Sequence, residues 1–306
     1  MKNLAISLDI GATNLRVAVV SRQGKIIKKI SQKTEKKTAT LLSKQIVCLT
    51  EKMILSSSLS KILGIGISAT GPLDIEKGTI RNNPNLKFSS VQVVKPIEKK
   101  FKLPVSFLND CKAGVLGEKY FGDGKNNNNL VYVTISSGIG GGAIVDGNLL
   151  LGSKGNAVEV GHFVIDSKYN LLCSCKEGKG HWEAYSSGEN IPKFFKFWLK
   201  KNNIDINFKP KETKDIFNEA KNNKIVKNFI LYEIGKINAR GISNIIIAYN
   251  PELITIGGSI AFNNQNLILK PIKKYVDRFL TLPKIKITSL GEDIGILGAA
   301  ASVFFI

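Results

Sequence analysis

The feature that most constrains this chain is a strand, glycine tip, strand design that occurs twice. Residues 4–9, LAISLD, alternate in apolarity, GATN supplies a polar turn, and LRVAVVS resumes the strand pattern before a second turn at Arg22–Lys25. At 130–136 LVYVTIS meets the tip SGIGGG and returns as AIVDGNLLL. A chain of 306 residues has room for about two domains, so the repeat implies two related α/β lobes. A tip free of side chains lets backbone N–H groups approach an anion. Gly138, Gly140 and Ala143 satisfy the loose G-x-G-x-x-A dinucleotide pattern, but a helix would have to follow and a strand does. No G-x-x-x-x-G-K-[ST] stretch is present, which excludes a P-loop.

Between and after the hairpins the pattern is mixed. Leu42, Ile46, Leu49 and Met53 fall at helical spacing within 39–58, followed by a strand at Ile62–Ser68 and the turn ATGP. From Ile191 to Asn250 the chain reads as Lys-rich helices with solvated faces. After Pro251 comes a buried strand, LITIGG, and GEDIGILGAAASVFF reads as loop then buried helix. With no low-complexity linker, the expectation is two closely packed lobes, 1–112 plus 291–306 and 113–290, with a cleft between them as the default site.

A net charge of +20 would ordinarily raise nucleic-acid binding. The basic residues are overwhelmingly Lys, with only Arg16, Arg22, Arg81, Arg240 and Arg278 to offer a bidentate fork, and Lys, Asn and Ile are abundant together as in a genome-wide bias. No nucleic-acid partner is expected. Asp9 interrupts the only signal-like start, and no apolar run approaches the roughly 18 residues of a membrane span, so the expectation is a cytoplasmic protein with no membrane partner. Four cysteines in such a chain do not make a disulfide framework. Cys173 and Cys175 form a C-x-C bracketed by the only two histidines, His162 and His181, a set of four N/S ligands that suits Zn²⁺. Cys48, on the first helix, and Cys111 read as packing residues.

These segments together resemble one family. Asp9-Ile-Gly11-Ala12-Thr13-Asn14 is similar to the first phosphate motif of the actin-like sugar kinases, and Ser136-Ser137-Gly138-Ile139-Gly140-Gly141 to the second. Asn109-Asp110 through Gly117-Glu118 matches the N-D-x-x-A-x-x-G-E segment. Glu159-Val-Gly161-His162, Cys173-Ser-Cys175 and Gly180-His181-Trp182-Glu183 are similar to the signature of the ROK branch, and Pro251 to Ser259, with Gly257 and Gly258, to its adenosine motif. The resemblance runs from Asp9 to the final helix. It departs from the family at Ala12, where Gly is usual, at Ser136-Ser137, where Gly-Thr is typical, and in the metal motif, which has one extra residue between Cys175 and Gly180 and His181 in place of a third Cys.

The resemblance implies a two-lobed actin-like (ribonuclease H-like) ATPase fold and an ATP-dependent hexose kinase of the glucokinase and hexokinase kind. Phosphoryl transfer requires chiefly positioning, charge stabilisation and a base for the attacking hydroxyl. Asp110 is the implied base, and Asp9 the implied holder of Mg²⁺. Gly11, Ala12, Thr13, Asn14, Ser137, Gly138, Gly140, Gly257 and Gly258 would bind ATP with Asp9. Asn109, Asp110, Glu159, His162 and Glu183, joined by Gly71 and Asn85 in the turns ATGP and NNPN, would bind the hexose, whose hydroxyls both donate and accept. A structural Zn²⁺ would take His162, Cys173, Cys175 and His181, leaving the other His162 nitrogen for a sugar hydroxyl. The family also contains sugar-responsive regulators with an N-terminal helix-turn-helix; with the first phosphate strand expected from residue 4, no such domain is expected here. A non-catalytic sugar-binding protein is the remaining rival, and a homodimer the default assembly.

Overall fold

The computed structural model describes residues 2–57, 59–83 and 85–306. Strands are β1 Leu4–Ile10, β2 Asn14–Ser21, β3 Ile26–Lys33, β4 Ile62–Ala69, β5 Leu73–Asp74, β6 Thr79–Asn83, β7 Phe88–Gln92, β8 Val105–Asn109, β9 Leu130–Ile135, β10 Ile139–Val145, β11 Asn148–Leu149, β12 Leu253–Gly257 and β13 Lys284–Ile287. Contacts divide the chain into two compact units, the first 1–128, 142–157 and 289–306, the second 129–141 and 158–288. Helix Asp110–Tyr120 therefore groups with the first unit, whereas the sequence reading divides the chain after residue 112.

The two five-stranded sheets have the same plan. One runs β3-β2-β1-β4-β8, the other β11-β10-β9-β12-β13. In the first sheet β1 pairs antiparallel with β2 and parallel with β4, and β4 pairs parallel with β8. In the second, β12 pairs parallel with both β9 and β13. Each glycine hairpin of the sequence supplies the first two strands of its sheet, so the internal repeat is a repeat of topology. A third, smaller sheet is made of β5, β6 and β7.

Alternation along β1 decides what covers each face of the first sheet. Ile6, Leu8 and Ile10 pack with Leu42, Ile46, Leu49 and Met53 of helix Ala39–Leu55, as the spacing of those residues requires. Ala5 faces the other way, with Ile296, Leu297, Ala300 and Phe304 of helix Ile294–Phe305. That second layer is drawn in by missing side chains: a Cβ on Gly66 would stand 1.8 Å from the Ala299 carbonyl oxygen. Cys48 corrects the sequence reading, because it is exposed rather than packed. It lies two positions beyond Ile46, about 200° around the helix and hence on the far face. Cys111 is buried, as expected.

In the second unit all five residues of β12 are buried. Helix Gly235–Tyr249 follows the expected apolar face, the expected helical run is broken by a π turn at Phe229–Ile234, and helix Gln265–Tyr275 lies outside the segments the sequence reading assigned. Trp182 is fully buried; its indole N–H donates to Asn238 Oδ1 at 2.8 Å, and a Cβ on Gly241 would come within 2.4 Å of its ring. Among the described residues, no helix is long and apolar enough to cross a membrane.

Candidate functional site

In the first unit the sequence-expected residues gather at the carboxyl ends of three parallel strands, where open α/β sheets place ligands. Register aligns Ile10 with Ala69 and Ala69 with Asn109, so Gly11, Thr70 and Asp110 leave the sheet from one edge. The first tip is closed by Gly11 N–H donating to Asn14 O at 3.0 Å. Thr34 turns its carbonyls inward: its hydroxyl donates to Gly11 O at 2.7 Å and its N–H to Thr13 O at 3.0 Å. With these carbonyls engaged, the tip can turn N–H groups toward an anion. Ala12 and Asn14 are half-buried in it and Thr13 is exposed.

Asp9 sits just before this tip. Arg16 donates to its Oδ2 at 3.1 Å and the Ser68 hydroxyl to its Oδ1 at 3.2 Å, while Arg16 also reaches Glu292 at 3.1 Å. Burial raises the Asp9 carboxyl above its ordinary range, with Arg16 and Ser68 opposing. A Cβ on Gly295 would lie 2.6 Å from Asp9 Oδ1, so glycine there lets the carboxylate meet the start of helix Ile294–Phe305.

Asn109 caps helix Asp110–Tyr120, its Oδ1 accepting from Cys111 N–H at 2.9 Å, and Asp110 Oδ1 accepts from the same N–H at 2.8 Å. Asp110 is half-buried at the first helical position. Gly71 is close by: a Cβ there would be 3.1 Å from Asn109 Nδ2. The residue that organises this corner is Asn83, which the sequence reading passed over for Asn85. Asn83 is 3% exposed, donates to Gly71 O at 2.5 Å and accepts from the N–H groups of Asn85 and Leu86 at 2.9 and 3.0 Å. The turn NNPN offered three asparagines, and nothing local told which one faces inward.

Lys112, two residues after Asp110, is 1% exposed and donates to Ala157 O at 3.0 Å. The next residue, Val158, has φ 65°, a left-handed conformation that a β-branched residue rarely adopts. It leads directly into exposed Glu159 and the turn Val160–His162.

In the second unit the other tip, Ser136 to Gly138, is held the way the first is. Gly188 N–H donates to Ser136 O at 2.7 Å and Glu189 N–H to Ser137 O at 3.2 Å. Ile139 N–H donates to Glu183 Oε2 at 2.9 Å. Glu183, expected as a sugar ligand, is thus also a holder of the tip. Gly258 has φ 92°, and a Cβ there would be 2.4 Å from Ile135 O; the Ser136 and Ser259 hydroxyls are 3.1 Å apart. Gly257 and Gly258 thus lie beside Thr134 and Ile135, the residues that lead into the tip. Gly140 follows in β10 beside Gly141, whose missing side chain makes room for a neighbour, since a Cβ on Gly141 would be 2.9 Å from Val160 Cγ2.

His162, Cys173, Cys175 and His181 offer ligand atoms all within 4.8 Å of one another. The two Nδ1 atoms are 3.3 Å apart, Cys175 Sγ is 3.6 Å from His181 Nδ1, and Cys173 Sγ is 4.0 Å from His162 Nδ1. Tetrahedral zinc with ordinary bond lengths needs N···N edges of about 3.3 Å and N···S edges of about 3.6 Å; the His162–His181 and Cys175–His181 edges match, the Cys173–His162 edge is longer, and the four N/S donors are of the kind zinc takes. Burial, then the neighbouring His162 charge, lowers the His181 pKa and favours the neutral imidazole that binds metal. The segment between Cys175 and Gly180 turns back on itself, with Cys173 N–H donating to Gly178 O at 2.9 Å and Lys176 at φ 66°.

Known proteins resemble this chain over almost its whole length. The chain is 33% identical over 305 residues to a glucokinase of Pyrobaculum calidifontis, covering 98% of this chain and 94% of that protein. Its fold is similar to a ROK hexokinase from Thermus thermophilus, with a TM-score of 0.83 at 24% identity over 98% of this chain and 97% of that one. It is also similar to a ROK family glucokinase from Streptomyces griseus solved in complex with glucose and AMPPNP, with a TM-score of 0.78 at 25% identity over 97% and 98%. A sequence model of the ROK family matches residues 5–304, and the chain, with its actin-like mixed α/β fold, belongs to that family.

Proposed function

We propose that this protein is an ATP-dependent hexose kinase in which Asp110 is the general base. The observation that carries the reading is the register Ile10, Ala69, Asn109, which sets the carboxylate of Asp110 on the same sheet edge as the first anion-cradling tip. Asp110 accepts the proton of the hexose hydroxyl as its oxygen bonds to the γ-phosphorus and the bond to the β-phosphate oxygen breaks, releasing ADP. Asn109, Gly71, Asn85, Glu159, His162 and Glu183 are the proposed hexose ligands. The two tips, with Gly257 and Gly258, are the proposed ATP ligands.

Asp9 is an oxygen donor of the hard kind Mg²⁺ takes, and with Arg16 and Ser68 already on its oxygens it suits a water-mediated contact. Mg²⁺ supplies neutralisation of phosphate charge when bound. The test is ADP release from ATP with and without each of a panel of hexoses and amino-hexoses. Hexose-dependent release at a rate well above the sugar-free background is expected; release indifferent to every sugar rules the reading out.

We further propose that His162, Cys173, Cys175 and His181 hold a structural zinc that staples the irregular loop from Val164 to His181. The ion would add to the bridges of Val164 with His181 and Leu172 with Lys179 and to the Asp166 carboxylate, which accepts from the N–H groups of Tyr169 and Asn170. Elemental analysis of protein purified without added metal should find close to one zinc per chain, and Cys173→Ser should lower that content and the melting temperature together. A zinc-free preparation with undiminished activity and melting temperature is the contrary result.

A further inference from the structure

The proposed metal loop and the second glycine tip are joined by two side chains. Ser174 is the residue between the two cysteines, so its backbone is fixed whenever Cys173 and Cys175 share an ion. Its hydroxyl donates to Glu183 Oε1 at 3.0 Å, and Asn190 Nδ2 donates to that hydroxyl at 3.4 Å. The other oxygen of the same carboxylate, Oε2, accepts from Ile139 N–H at 2.9 Å. A Cβ on Gly138 would be 2.7 Å from Oε2, so glycine is what admits the carboxylate to the tip.

The segment that starts at Glu183 also carries the two N–H groups, of Gly188 and Glu189, that hold the carbonyls of Ser136 and Ser137. Asn190, 4% exposed, donates to the Glu183 carbonyl at 3.1 Å and to the Ser187 hydroxyl at 2.9 Å, making the segment one hydrogen-bonded piece. Hydrogen bonds to a carboxylate are the strong ones, so the Glu183 side chain links loop and tip in addition to the backbone that runs from His181 to Glu183.

We propose that Ser174 and Glu183 are positioning residues that carry the state of the metal loop to the second tip, so that metal occupancy sets the order of the tip and with it the affinity for nucleotide phosphates. The inference rests on the reading of that tip as a phosphate cradle. A carboxylate has about four acceptor sites, so Glu183 can hold Ser174 and Ile139 and still meet a sugar hydroxyl. Losing the Ser174 bond leaves Glu183 free to rotate, and Ile139 loses a fixed acceptor.

The test uses full-length zinc-loaded protein, Ser174→Ala and Ser174→Thr. Amide hydrogen exchange of the peptide spanning 136–139 is read without nucleotide, beside a calorimetric Kd for a non-hydrolysable ATP analogue and the zinc content of each protein. Ser174→Ala should keep its zinc, exchange faster at the tip, and bind the analogue about tenfold more weakly, the low end of what one lost hydrogen bond to a charged group is worth, because this bond is exposed. Ser174→Thr should restore both. Chelation should loosen the tip of the parent and add little at the tip of Ser174→Ala.

Parent-like tip protection in zinc-loaded Ser174→Ala, or a parent tip indifferent to chelation, overturns the coupling. Zinc loss from Ser174→Ala that Ser174→Thr does not repair also counts against it. A loosened tip with unchanged analogue affinity supports the coupling and removes the phosphate-cradle reading instead, so the two failures are distinguishable.

Discussion

Asp110→Asn should lower kcat for hexose-dependent ADP release by roughly 10²–10⁴ while the hexose Kd changes far less. The substitution keeps the shape of the side chain and an oxygen able to accept from Cys111 N–H, as Asp110 Oδ1 does at 2.8 Å. Only the proton acceptor is removed. The cap of helix Asp110–Tyr120 survives, since Asn109 makes its own bond to that N–H. What the helix loses is a negative charge in its first turn, a cost of about 0.3–1 kcal/mol that the fold should absorb. The measurements are kcat, a calorimetric sugar Kd, and a thermal melt that confirms folding. A folded variant with kcat within about threefold of the parent, far above the value expected without a general base, removes Asp110 from that role.

Gly298→Ala should destabilise the protein by at least about 3 kcal/mol, the upper end of the usual overpacking range. A Cβ there would stand 1.7 Å from the Ala113 carbonyl oxygen and 2.2 Å from its carbon, so the obstacle is backbone, which no rotamer change can clear. Relief requires helix Ile294–Phe305 to move away from helix Asp110–Tyr120. The same approach leaves 3.1 Å between a Gly117 Cβ and the Ile294 carbonyl oxygen, so the contact is close on both sides. Because Asp110 begins one of these helices, partly folded Gly298→Ala should also lose activity beyond its loss of native population. Denaturant titration of parent and variant decides the matter; a difference under about 1 kcal/mol means the helices are not in backbone contact.

The sequence by itself determined the local structure and the identity of most candidate ligands. Both glycine hairpins, helix Ala39–Leu55 and strands β4, β9 and β12 were legible because alternation, helical spacing and turn chemistry act over a few residues. The motifs from Asp9 to Gly258 named candidate site residues through their resemblance to the ROK family, and the C-x-C bracketed by two histidines also through its ligand types.

Tertiary structure decided what those residues do. Asn83 rather than Asn85 holds the Gly71 corner, Glu183 grips Ile139 as well as Ser174, and Cys48 faces away from the core that its helix builds. Gly141 and Gly298 read as tip and helix glycines in the sequence, yet each marks a place where another segment comes within van der Waals reach. Thr34, 23 residues from Gly11, and Gly188, 52 from Ser136, close the two tips, as the numbering of those pairs shows. Such contacts join residues distant along the chain, and no local pattern encodes a partner that only the folded backbone brings into hydrogen-bonding range.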